Sequence, residues 1–197
     1  MALRYWLTRP RKLVARLRYW AWEKANPDKP WMCPGTIKFL QNNLSRSMTA
    51  LEFGSGRSTL WFSTLVGNLT SVEHNSAWYE QVKQQLADAG VRNVDYRHVP
   101  LDHPMSEPER SSYEPTPDYV AVADGFPEGA LHFVVVDGHY RTHCARHAIS
   151  KIAKGGYLLI DDVNMWPTLS ALPVPPSWHI ADDSTNGLKR CVIWQAR

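Results

Sequence analysis

The sequence predicts an α/β fold: a doubly wound, mostly parallel seven-stranded sheet with an antiparallel C-terminal strand, helices on both faces and a helical N-terminal arm. Three observations predict it. From Thr49 onward short apolar runs alternate with helical stretches, the pattern of repeated strand–helix units. The run LHFVVVDG, from Leu131, is continuously apolar, as a strand covered on both faces requires. Asn186-Gly187 separates two strand-like stretches near the C terminus, a strong hairpin signal.

Taken in order, Leu13, Val14, Leu17, Trp20 and Ala21 recur at helical spacing and predict an amphipathic helix over 11–25. Pro27, Pro30 and Pro34 end it, and a second helix is expected over 36–43. The first strand is expected over 48–53, followed by a glycine loop and a helix over 58–66. A second strand, 69–73, leads through Asn75 or Ser76 as cap into a helix over 77–89, which Gly90 terminates. A third strand covers 94–99. The stretch 100–129, rich in Pro, Ser, Glu and Asp, reads as a long loop with one short helix over 118–123, and a loop of this length in a compact domain is more often functional than not. After the fourth strand come a helix over 142–153, the pair Gly155-Gly156, and a fifth strand ending in Asp161 and Asp162.

At 197 residues the chain has the size of one domain and should bury roughly 70% of its unfolded surface. Three cysteines, far apart and odd in number, argue against a disulfide framework or a zinc knuckle. No apolar run is long enough to span a membrane, and a cytoplasmic location is expected. Residues 1–25 hold seven lysines and arginines against Glu23 alone, while the whole chain is only +3. The basicity therefore belongs to the arm, which weakens a nucleic-acid reading of the protein and points to a peripheral membrane contact through 1–25, a lid, or a homodimer contact.

Chemistry concentrates in LEFGSGRST, Leu51 to Thr59. Gly54 and Gly56 let the backbone approach a ligand, and Glu73, ending the second strand, can accept ribose hydroxyls. Thr59 stands where a dinucleotide fingerprint has its third glycine, and Glu52 would repel phosphates but attract a cationic ligand, so a nicotinamide-dependent oxidoreductase is the weaker reading. With SVEH, FVVVDG and KGGYLLIDD, the segment ALEFGSGRST resembles the motifs of class I S-adenosylmethionine-dependent methyltransferases. The resemblance covers 49–197 and implies S-adenosylmethionine as cofactor, bound by Glu52, Gly54, Ser55, Gly56, Ser58, Thr59, Glu73 and His74. Residues 48–197 then form the cofactor-binding domain and 1–47 a helical cap. A non-catalytic module that keeps the fold and binds a membrane or a partner through the arm is the alternative of another class.

The ends of strands four and five bring together Asp137, His139, Tyr140, Arg141, Asp161 and Asp162. The resemblance implies methyl transfer to an oxygen of a small molecule or glycan, with His139, whose reference pKa suits a general base, and Asp137 beside it as the catalytic residues. Three converging carboxylates would repel unless a cation joined them, and the spacing is similar to that of metal-dependent O-methyltransferases; Asp137, Asp161 and Asp162 are on that ground candidate Mg2+ ligands. Trp166 is a candidate substrate wall.

Overall fold

The computed structural model describes residues 9–197. Arg4 and the rest of the basic segment up to residue 8 lie outside the described residues. The elements are α1 (Pro10–Ala25), α2 (Pro34–Asn43), β1 (Thr49–Phe53), α3 (Arg57–Leu65), β2 (Asn68–Glu73), α4 (Ser76–Asp88), β3 (Val94–His98), α5 (Asp118–Ala121), β4 (Leu131–Val136), α6 (Arg141–Ala148), β5 (Ile152–Ile160), β6 (His179–Thr185) and β7 (Arg190–Gln195). They form one seven-stranded sheet in the order β3-β2-β1-β4-β5-β7-β6. β1 to β5 pair parallel, and β7 runs antiparallel to both β5 and β6. The expected doubly wound sheet with an antiparallel C-terminal end is therefore the observed one.

Strand alternation sorts the core into two layers. Leu51, Phe53, Val134, Val136, Leu158 and Ile160 face α5, α6 and the long loop. Ala50, Phe133, Val135, Leu159 and Ile193 face α2 and α3, where Ile37, Leu40 and Phe62 complete the packing. The second helix thus packs directly on this layer of the core. Proline occupies the first turn of both α1 and α2, where its missing N–H costs nothing. The Asn75 side chain caps α4 by accepting from Trp78 N at 3.0 Å, and Gly90, at φ +64°, ends it.

Two expectations shift. The helix expected over 142–153 stops at Ala148, and Ile149–Lys151 forms a 3₁₀ turn. β5 begins at Ile152, so Gly155 and Gly156 lie inside the strand, where pairing with β4 slips between Leu131 and Phe133. Gly155 has φ +81°, and a Cβ on Gly156 would meet the His132 carbonyl at 2.9 Å. The glycines make an irregularity in the strand, not a loop before it.

The long loop is held down locally. Tyr113 packs edge-on to Tyr140 and His143, with ring centroids 5.0 and 4.9 Å apart. Glu109 accepts from Thr142 N and His143 N at the first turn of α6, where the helix dipole favours a carboxylate. His143 Nε2 lies 2.8 Å from the Arg110 carbonyl, and His147 pairs with Asp124. These two histidines have separate partners and do not converge.

Candidate functional site

The site lies at the carboxyl ends of β1, β2, β4 and β5, where a parallel sheet leaves a crevice. Gly54, at φ +93°, turns the chain out of β1 against the loop after β4. A Cβ on Gly54 would sit 2.6 Å from Gly138 N, and one on Gly138 would sit 2.2 Å from the Tyr119 hydroxyl. Only glycine fits either position. Gly56 differs: its φ of 164° is extended, and a Cβ there would make ordinary contact with Trp78 at 3.7 Å. Its N–H instead donates to Thr59 Oγ1 at 3.0 Å.

Glu52 does not reach the crevice. The two-residue alternation of β1 turns it to the α3 side with Ala50, where it is buried. Ser58 Oγ donates to its Oε1 at 2.5 Å, and Thr59 Oγ1 and Ser71 Oγ donate to its Oε2 at 2.6 and 2.5 Å. Ser71 is its register partner on β2. Burial pushes the Glu52 carboxyl up to about 7 against the pull of these three hydroxyls. Glu52, Ser58 and Thr59 thus form a hydrogen-bonded base beneath the glycine loop.

Above that base is a cleft of about 510 Å3, lined among others by Gly54, Ser55, Glu73, His74, Trp78 and Asp137. The Glu73 carboxylate accepts from His74 N and Asn75 N at 2.9 and 2.7 Å, and from Ser55 N and Ser55 Oγ at 3.2 and 2.8 Å. Ser55 Oγ also lies 2.6 Å from the Tyr96 hydroxyl, so it has a second partner if a ligand hydroxyl takes its place on Glu73. His74 Nδ1 is buried at this same cleft, 3.3 Å from Glu73 Oε1 but making no hydrogen bond. Trp78 Nε1 donates to the Ser55 carbonyl at 2.9 Å and fixes the cleft's wall.

A second cleft, of about 250 Å3, shares Gly138 with the first and is lined by Glu107, Glu109, His139, Arg141 and Trp166 among others. Tyr140 (φ 50°) and Asp162 (φ 52°) both hold left-handed backbone just past the ends of β4 and β5. Such strain in non-glycine residues gathers at functional sites. Burial, then the neighbouring His74 ring 5.9 Å away, lowers the His139 pKa and keeps its imidazole neutral. A larger cavity, about 620 Å3, lies between α1 and the β6–β7 turn, but neither carboxylate nor imidazole lines it.

Asp137, Asp161 and Asp162 do converge, with one oxygen of each within 4.8 Å of the others. Two cations already answer them. Lys189 Nζ lies 2.6 Å from Asp161 Oδ2 and 3.9 Å from Asp162 Oδ1. Arg141 pairs with Asp137 Oδ1 at 3.0 Å and donates to the carbonyls of Gly138, Asp137 and Asp161. Cys191 Sγ takes the remaining Asp161 oxygen at 2.6 Å. Burial alone would depress the Lys189 pKa, yet Asp161 and Asp137 outweigh it and keep the ammonium charged. Asp137 is raised by burial and by Asp161. The donor set does not fit Mg2+: the charge that a metal would supply comes from Lys189 and Arg141, and a hard cation would have to displace the lysine from a fully buried carboxylate. Exhaustive chelation is therefore expected to leave turnover unchanged, and loss of activity restored by magnesium would contradict this.

The sheet order, the glycine turn after β1 and the cleft over the carboxyl ends define a class I, Rossmann-like methyltransferase fold. No family model and no curated protein matches the chain. Among solved structures the chain is similar to a methyltransferase-like protein from Silicibacter pomeroyi, at 25% identity and a TM-score of 0.61 over 86% of this chain and 89% of that one. It is similar in fold to a Streptococcus mutans protein assigned as a methyltransferase and crystallised with SAH, at 10% identity and TM-score 0.57 over 80% and 93%. It is likewise similar in fold to an rRNA methylase from Streptococcus thermophilus, at 12% identity and TM-score 0.57 over 81% and 92%.

Sequence reasoning missed Lys189, which sits in the hairpin turn and meets Asp161 across 28 residues of chain. No local pattern announces such a pairing. Tyr96 and Trp78, which brace Ser55, were equally silent. Trp166 does line the second cleft.

Proposed function

We propose that this chain is an S-adenosylmethionine-dependent methyltransferase acting on an oxygen of a small molecule or glycan, with residues 1–47 as a helical cap on a cofactor-binding domain over 48–197. The observation that carries the reading is the cleft over Gly54, where a glycine-only turn, the Glu73 carboxylate and the buried His74 Nδ1 beside it meet. The solved structures of similar fold support it, one of them holding SAH.

When bound, the cofactor supplies an electrophilic methyl group on sulfonium sulfur. The rest is done by this chain. Glu73 would accept the ribose hydroxyls with the Ser55 hydroxyl turned to Tyr96, and the His74 ring beside it would meet the nucleoside. The Gly54–Ser55–Gly56 backbone would hold the methionine portion, while Glu52, Ser58 and Thr59 hold that loop from below. Gly138 joins the two clefts, so an acceptor against Trp166 in the smaller one faces the larger. His139, neutral and at that junction, takes the acceptor's hydroxyl proton as the oxygen attacks, and Asp137, anchored by Arg141, orients the acceptor. Glu107 and Glu109 at the smaller cleft disfavour a phosphodiester backbone there.

Because all four acceptor positions of Glu73 are in use, Glu73→Gln is expected to weaken S-adenosylmethionine binding by about 2 kcal/mol, the worth of hydrogen bonds to a charged group. Ser55→Ala, which removes only a competitor for that carboxylate, is expected to leave affinity within about threefold. Calorimetry that finds Glu73→Gln unchanged would remove Glu73 from the site.

A further inference from the structure

The exposed apolar residues Val14, Leu17 and Trp20 all lie on α1, with 48%, 56% and 49% of their surface in solvent. The helix has a separate face for packing. Tyr19 is buried, stacks on Trp22 at 5.7 Å and donates to the Met32 carbonyl, while Ala15 sits against Gly187 in the β6–β7 turn. At 3.6 residues per turn Val14, Leu17 and Ala21 form one stripe with Trp20 at its edge, away from that contact. Arg11 and Arg18 border the stripe on one side, Arg16 and Lys12 on the other. Lys24 lies over the Trp20 ring at 3.9 Å.

We propose that α1 docks this protein on an anionic membrane surface, its Val14–Leu17–Trp20 stripe entering the headgroup boundary and its flanking cations meeting lipid phosphates. Four observations select this occupant. The described helix carries five cations, Arg11, Lys12, Arg16, Arg18 and Lys24, against Glu23 alone. A second copy seated on the same face would bring those like charges together. Aliphatic Val14 and Leu17 at the centre of the stripe have no role on a phosphodiester strand, whereas the acyl boundary favours them, and Trp20 suits the headgroup level. Arg11 and Arg18 also line the cavity of about 620 Å3 beside the stripe, together with Asn186, whose Nδ2 is buried without a partner. Two guanidinium groups and a free amide donor suit a headgroup phosphate there.

The location adds a consequence. β6 runs in the same direction as β5, since both are antiparallel to β7, so the turn that seats α1 lies at the carboxyl end of the sheet. Lys189, from that same turn, reaches Asp161. The docking helix therefore belongs to the end of the molecule that carries the two clefts. This inference does not depend on methyl transfer.

The test is flotation of the full chain with vesicles of phosphatidylcholine alone and of phosphatidylcholine with phosphatidylglycerol. Wild type is expected to float only with the anionic vesicles and to be released as salt rises to about 0.5 M. Leu17→Glu and Trp20→Glu, at exposed positions, are each expected to lower the bound fraction about tenfold, with thermal melting and S-adenosylmethionine affinity unchanged. Arg18→Glu is expected to weaken binding to the anionic vesicles. Equal binding by the wild type and both stripe variants would overturn the proposal. So would a wild-type dimer, without vesicle binding, that Leu17→Glu converts to monomer, or retention on RNA that Leu17→Glu leaves intact.

Discussion

Lys189→Met is expected to destabilise the fold by about 3 kcal/mol, because it leaves the Asp161 carboxylate buried with no cation. Asp161 is wholly out of solvent, and of its two oxygens one is held by Lys189 and the other by the weak thiol donor of Cys191. Most of that cost comes from the stranded charge and not from the lost attraction. Asp161→Asn added to Lys189→Met should therefore recover most of the stability. Urea unfolding of the wild type, both single variants and the double variant measures this as a coupling energy. Additive losses, or a Lys189→Met loss within about 0.5 kcal/mol, would show that Asp161 is answered by other groups.

The second large effect is a pH dependence located at Glu52. Its folded carboxyl titrates at about 7, above its ordinary value, because burial favours the protonated form. The folded state then holds a proton that the unfolded chain has already released between the ordinary carboxylate range and about 7, so stability falls as pH rises through that window. Over it the wild type should lose about 3 kcal/mol relative to Glu52→Gln, each pKa unit being worth about 1.4 kcal/mol. Glutamine keeps the shape and can bond Ser58, Thr59 and Ser71 without a charge. Urea midpoints measured at about pH 5 and about pH 8 for both proteins check it, and parallel pH profiles would place the titration elsewhere.

Glu52 also shows where sequence reading reached its limit. The acid two residues before Gly54 was legible as part of a cofactor motif, and the strand, the turn and the helix around it were legible too. Its direction was not read, although the alternation of β1 already puts it on the α3 side with Ala50. The charge argument for a cationic ligand therefore cannot act by contact; Glu52 shapes the loop that would. Thr59, read as an obstacle to a dinucleotide, turns out to hold Gly56 N–H and Glu52 together.

The acidic cluster is the converse case. Convergence of Asp137, Asp161 and Asp162 was legible from the ends of two neighbouring parallel strands. The neutralising partner was not, because Lys189 arrives from a hairpin whose register only tertiary packing sets. A metal was the natural inference from three acids with Arg141 as the one cation placed beside them. The long loop gave no pattern, since its order comes from Tyr113 and Glu109 meeting α6.

The central claim is that the cleft over Gly54 and Glu73 takes an S-adenosyl nucleoside. Titration calorimetry of S-adenosylhomocysteine into the wild-type chain, beside NAD under the same conditions, tests it most directly. The expected result is saturable one-to-one binding of S-adenosylhomocysteine, weakened about thirtyfold by Glu73→Gln, with no heat from NAD. Binding of NAD with none of S-adenosylhomocysteine would contradict it.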